Sequence, residues 1–188
     1  MALLSLKIPH EVARLLGQLP VPGDKSPVGE MHITLVYLGK DRPIDQVADA
    51  IKAVYEVTSR TKPFTVKTGL ITSFPAGDDG FPIIAKIESP ELFQLQAALR
   101  GALDKAGVEY DKKWPTYRPH ATLAYLTGEE APPDQPFSPI EWGVGELVLW
   151  GGDQGDERLS ATFPFALTLS KAAMYRAFVR MARSKRAG

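Results

Sequence analysis

Two stretches decide the reading of this chain: His32-Ile33-Thr34-Leu35-Val36-Tyr37-Leu38 and His120-Ala121-Thr122-Leu123-Ala124-Tyr125-Leu126. Five of the seven positions are identical, and the two histidines stand 88 residues apart in a chain of 188. Each stretch is apolar and short enough for a buried strand. A near-duplicate at half the chain length predicts two similar lobes related by a pseudo-two-fold axis. In a strand, residues i and i+2 point to one face. His32 and Thr34 therefore project together, as do His120 and Thr122, while Ile33, Leu35, Ala121 and Leu123 face a core. By the same alternation Tyr37 and Tyr125, five residues after each histidine, are expected on the core side.

Outward from these strands the pattern is mixed. Leu3 to Ile8 reads as a strand ended by Pro9, followed by a helix on Val12, Leu15, Leu16 and Leu19 that stops at Pro20 and Pro22. Pro43 opens a helix with Ile44, Val47, Ala48, Ile51, Val54 and Tyr55 on one face. Phe64 to Phe74 and Pro82 to Glu88 form two strands around a Pro75 to Gly80 turn. Ser89 as N-cap, Pro90 at the first turn and Gly107 bound a further helix, its buried face Leu92, Leu95, Leu99, Ala102 and Leu103. Two long β segments, Ile140 to Trp150 and Leu159 to Leu169, follow the second motif. The order β-α-β-α-β-β-α-β-β-β predicts an α+β protein with antiparallel sheets and helices on the outer faces. The domain is taken to span 1–170, with 171–188 a basic amphipathic helix or tail: Met174, Phe178 and Met181 share one face, opposite Arg176, Arg180 and Arg183.

Composition bounds the function. Lysine plus arginine and aspartate plus glutamate both number 22, and there is no cysteine. Disulfides, thiolate metal sites and a cysteine nucleophile are excluded. A zero net charge argues against a stable complex with long nucleic acid, whose binders carry a basic surplus. The expected partner is a small nucleotide or an RNA end. No apolar run reaches the ~20 residues of a membrane span, and the short N-terminal apolar run interrupted by Lys7 is no signal peptide. A cytoplasmic monomer without membrane association is the expectation.

Two imidazoles and two hydroxyls lining one cleft suit phosphodiester cleavage. One neutral histidine takes a proton from the attacking water or hydroxyl, and the other, protonated, gives one to the leaving oxygen. The ordinary histidine pKa of about 6.5 serves both roles. Threonine hydroxyls can donate to phosphoryl oxygens as charge redistributes. His10, the third histidine, follows Pro9 without a companion motif and is read as structural. A zinc centre would ask for three ligands, and the spacing offers two histidines and no His-Glu-x-x-His helix. No metal or cofactor is expected.

With Met31-His32-Ile33-Thr34-Leu35-Val36-Tyr37-Leu38-Gly39 and Arg118-Pro119-His120-Ala121-Thr122-Leu123-Ala124, the chain resembles the two-histidine (2H) phosphoesterase superfamily. That superfamily includes 2'-5' RNA ligases and cyclic nucleotide phosphodiesterases. The resemblance implies a bilobal fold of two RNA-recognition-motif-like halves around a central cleft. It implies metal-free action on 2',3'-cyclic or 2'-5'-linked phosphates, with His32, Thr34, His120 and Thr122 carrying the chemistry. Degradation of cyclic oligonucleotide signals, as by some phage-encoded members, is within its range. So are RNA 2'-5' ligation and nucleotide binding without turnover. The residues do not distinguish the base from the acid. Before the second motif, Lys113, Trp114, Tyr117 and Arg118 are candidate substrate contacts, the aromatics by stacking on a base. The competing reading makes Trp114 and Tyr117 anchors of a solvated loop. Lys112 belongs to the same cluster, and Lys40 and Arg42 are candidate rim residues.

Overall fold

The computed structural model describes residues 2–40, 44–128, 130–154 and 157–166. In chain order the elements are β1 (Ala2–Lys7), α1 (His10–Gly17), β2 (Asp24–Lys25), a 3-10 turn (Val28–Glu30), β3 (His32–Gly39) and α2 (Ile44–Thr58). There follow β4 (Phe64–Ser73), β5 (Phe81–Glu88), α3 (Pro90–Lys105), β6 (His120–Leu126), β7 (Glu141–Val144), β8 (Glu146–Gln154) and β9 (Glu157–Pro164). The expected helix at 171–188, the boundary at 170 and Arg42 lie outside the described residues.

All strand pairings are antiparallel, in the order β7-β4-β5-β6-β3-β1-β8-β9, with β2 added to β6. The middle of that order is the pseudo-dyad. Strand β3 matches β6, β1 matches β5, β8 matches β4 and β9 matches β7. Helix α1 joins β1 to β3 as α3 joins β5 to β6. The α+β, two-lobed antiparallel architecture is thus the one the repeat predicts. The apolar periodicity of the helices has its consequence in the core. Val47, Ala50, Ala53 and Val54 of α2 and Leu92, Leu95, Leu99 and Leu103 of α3 pack with Leu4, Leu6, Ile33, Leu35, Val36, Leu38, Leu147 and Leu149 of the sheet. Tyr55 and Leu15, expected on buried faces, are exposed.

The run Ile140 to Trp150 departs from its expected single β segment. It breaks at Gly145 into two strands belonging to different halves: β7 pairs with β4, and β8 pairs with β1. The alternation of Ile140, Trp142 and Val144 does end there, at Gly145-Glu146, before a new apolar run from Leu147.

Strands β3 and β6, at the centre of the sheet, meet at one backbone pair, Ile33 with Ala121. Further along β6 the edge is already taken. Asp24 and Lys25 of β2 pair with Tyr125 and Ala124, and the Ser26 amide donates to the Leu123 carbonyl. Lys25 fixes this segment by donating from Nζ to the last-turn carbonyl of Gly17 and to that of Leu19, at 2.8 and 2.7 Å. Two glycines close on the same strand end. Gly23 and Gly80 have φ of 91° and 94°. A Cβ at Gly23 would collide with the Tyr125 carbonyl, and one at Gly80 with that of Leu126. Either Gly→Ala change combines left-handed strain with a backbone clash, and is expected to cost about 1–3 kcal/mol or more. Urea unfolding checks this, with Gly29→Ala, where a Cβ meets nothing, as the neutral control.

Candidate active site

The Ile33–Ala121 pair determines what faces what. Because the strands run in opposite directions through it, Thr122 falls beside His32 and Thr34 beside His120. Both motif pairs are half-buried while Ile33 and Ala121 are fully buried, so the four polar side chains share the face opposite the core.

Each histidine is held in the same way. His32 Nδ1 lies 2.7 Å from the Glu30 carbonyl oxygen, and His120 Nδ1 lies 2.7 Å from that of Arg118. A carbonyl only accepts, so Nδ1 carries the hydrogen and donates it. The nitrogen left for other partners in both rings is therefore Nε2. The acceptor is in each case two residues before the histidine, so the extended chain entering each strand supplies it.

The dyad is broken around the rings. Phe74 packs edge-on against the His120 ring, centroids 4.7 Å apart. Ile84, buried, stands across from Thr122, where the other half has Ser5 across from Thr34. Ser5 is fully buried and its hydroxyl has no protein partner among the described residues. The histidine of the second half accordingly sits in the more apolar setting. Burial pushes the His120 pKa below the ordinary histidine value, against the opposing effect of the Arg118 carbonyl, with a further lowering from nearby His32. The shift favours the neutral form of His120.

Both motif strands carry a β-bulge at the same place. Ser5 pairs with Thr34 and Leu4 with Val36, which leaves Leu35 as the extra residue; Ile84 pairs with Thr122 and Ile83 with Ala124, which leaves Leu123. Alternation is reset in each strand, and both Leu35-Val36 and Leu123-Ala124 are buried in succession. Tyr37 and Tyr125 thereby return to the histidine face. Their expected place in the core is corrected: Tyr125 is 39% exposed and Tyr37 half-buried.

The loop before β6 divides in two. Trp114 is 72% exposed, with Lys113 Nζ 5.3 Å from its ring centroid, and the Lys113 amide donates to Asp111 Oδ1. Tyr117 is an anchor: its hydroxyl donates to the Thr34 carbonyl at 3.2 Å, its ring meets Phe93, and burial raises its pKa. Arg118 contributes its carbonyl to His120 and leaves its side chain exposed. Lys112 is spent on Asp104 at 3.0 Å. Lys40 is exposed just past the end of β3, eight residues beyond His32. Phe74, Ile84 and Ser5 are neighbours of the motifs that sequence reading does not single out. A cavity of about 440 Å³ at the end of β1, lined by Lys7, His10, Val28, Gly143 and Glu146 among others, includes none of the four motif side chains. Among the described residues no cluster of three or more His, Cys, Asp or Glu is arranged to hold a metal, and no helix is long and apolar enough to cross a membrane.

Comparison with known proteins agrees with this fold. No curated protein matches the chain in sequence. Among solved structures, TT0787 of Thermus thermophilus superposes with TM-score 0.68 at 20% identity, covering 88% of this chain and 97% of that one. A structure described as a phosphoesterase gives 0.64 at 16%, covering 87% and 94%. E. coli LigT complexed with 3'-AMP gives 0.60 at 18%, covering 87% and 94%. At these identities the likeness is one of fold. Residues 23–156, which include both motifs, match the 2'-5' RNA ligase superfamily, and the chain belongs to that family.

Proposed function

We propose that this protein is a phosphodiesterase that cleaves a small nucleotide phosphodiester by two-histidine acid–base catalysis, without a metal. The observation that carries the reading is the pair of rings anchored through Nδ1–H on adjoining strands, each next to a threonine hydroxyl. LigT, a protein of like fold, has been crystallised with phosphate and with 3'-AMP, which supports a nucleotide substrate here.

The roles follow from the broken symmetry. His120, neutral, is the general base: its Nε2 takes the proton of the attacking water as oxygen bonds to phosphorus. His32, with Nε2 protonated, gives that proton to the leaving oxygen as its bond to phosphorus breaks. Thr34 and Thr122 donate to the non-bridging oxygens, whose charge rises in the transition state. Run backwards, the same groups would join a 2'-5' linkage; water at its bulk concentration favours cleavage. A 2',3'-cyclic mononucleotide, a 2'-5'-linked dinucleotide and a cyclic dinucleotide, each incubated with excess chelator, test the proposal. Turnover of at least one, undiminished by chelator, is the expected result. A reaction abolished by chelator, or binding of all three with no product, would overturn it.

A further inference from the structure

The register that pairs the halves also places one lysine beside each histidine. Lys7 of β1 stands directly opposite His32, and Lys86 of β5 directly opposite His120. Directly opposed residues in an antiparallel pair share a face, with Cβ atoms about 4.5–5.5 Å apart. The same pseudo-dyad that relates the two His-x-Thr motifs therefore relates Lys7 to Lys86. Both are exposed, and among the described residues neither is paired with a carboxylate. The acidic group nearest along β5, Glu88, is held by Lys67 at 3.2 Å. Lys7 Nζ lies 5.6 Å from the centroid of the Trp150 ring, which sits on the same face because Trp150 pairs with Leu3 as Val148 pairs with Ser5. The ring thus steadies the ammonium on the histidine side of the sheet.

A two-histidine reaction at a single phosphate has no need of two further cations flanking it on opposite sides. In a chain of zero net charge, a symmetric pair of lysines directly opposite the two motif histidines marks where additional anions lie. We propose that Lys7 and Lys86 bind the phosphates that flank the scissile one, so that the preferred substrate is an oligonucleotide or cyclic oligonucleotide carrying further phosphates, not an isolated mononucleotide. This rests on the phosphodiesterase reading and narrows its substrate class. A monoanionic substrate would leave both ammonium groups solvated and gain nothing from them. A substrate with flanking phosphates gains a charge-assisted hydrogen bond on each side.

The test uses pairs of substrates differing only in flanking phosphates: the 2'-5'-linked adenylate dimer with and without 5'- and 3'-terminal phosphates, and adenosine 2',3'-cyclic phosphate with and without a 5'-phosphate. The wild-type protein is expected to favour the phosphorylated member by about tenfold or more in kcat/KM. Lys7→Met and Lys86→Met should each lose most of that preference while the unphosphorylated member changes little, and Lys7→Arg and Lys86→Arg should retain it. Rising salt should erode the preference in the wild type and not in the methionine variants. Equal turnover of both members, or a loss in the methionine variants that falls equally on both, overturns the inference and leaves the phosphodiesterase reading standing. No turnover of any of the four sinks both.

Discussion

His120→Ala is expected to lower kcat/KM by about 10²–10⁴-fold, the usual contribution of a positioned proton-transfer group, and His32→Ala by a similar factor. The two losses should differ in their pH signature. The base must be free, so the acidic limb of the wild-type profile follows His120. Burial, with Phe74 edge-on against the ring, pushes that pKa below the ordinary value, so the limb should fall below about pH 6.5. Above it His120 is neutral and competent; below it the ring is protonated and rate is lost. The residual activity of His120→Ala should have lost this limb, and that of His32→Ala should have kept it. Phe74→Leu, which removes the aromatic edge and leaves the ring better solvated, should move the acidic limb upward in pH with little change in the plateau. If the acidic limb instead disappears in His32→Ala and persists in His120→Ala, the roles are reversed.

That assignment is out of reach of the sequence, and the reason is physical. The two motifs are near-copies, so nothing within either seven-residue stretch distinguishes the histidines. What does is brought from elsewhere by pairing: Phe74 by the end of β4, Ile84 by β5, and Ser5 by β1, each adjoining a motif strand only once the sheet is assembled. The dyad itself is legible, because a repeated apolar strand with a shared polar pair leaves few other arrangements. So are the helices, whose buried leucines in α3 recur at the helical period.

Three features resist for local reasons. A β-bulge adds one residue without any signature in composition, and one residue is enough to exchange faces. Hence simple alternation puts Tyr37 and Tyr125 on the wrong side, by a rule that holds up to Thr34 and Thr122 and fails at Leu35 and Leu123. The split at Gly145 is marked only by the pair Gly145-Glu146, a short interruption that a bulge within one strand would equally admit. Lys7 and Lys86 leave no mark in the sequence because their relation to the histidines is one of register between strands, and register between segments far apart in the chain is a property of the folded sheet. Tyr117 is the converse case: of its two readings, anchor or substrate contact, its hydrogen bond to the Thr34 carbonyl selects the anchor.

Ile33→Ala should damage stability and catalysis together. Ile33 is fully buried and belongs to the one backbone pair joining β3 to β6. Truncating a buried isoleucine to alanine costs about 2–5 kcal/mol through lost burial and the cavity left behind. Leu99→Ala in α3 removes an equally buried side chain that belongs to neither motif strand and should cost about as much. The two variants part in activity. At Ile33 the cavity opens in the core directly behind His32 and Thr34, where the facing of His120 and Thr122 is set by a single β3–β6 pair that β2 prevents from extending along β6. A small change of angle there shifts both proton-transfer groups relative to the phosphate, and misplacement by about 1 Å can cost on the order of 10²-fold. Leu99→Ala, once corrected for the unfolded fraction measured by urea titration, should retain near-wild-type kcat/KM, whereas Ile33→Ala should remain depressed after the same correction. Equal corrected activity in the two would mean that the motif geometry is held by the lobes separately, through the Glu30 and Arg118 carbonyls, and not by the β3–β6 pair.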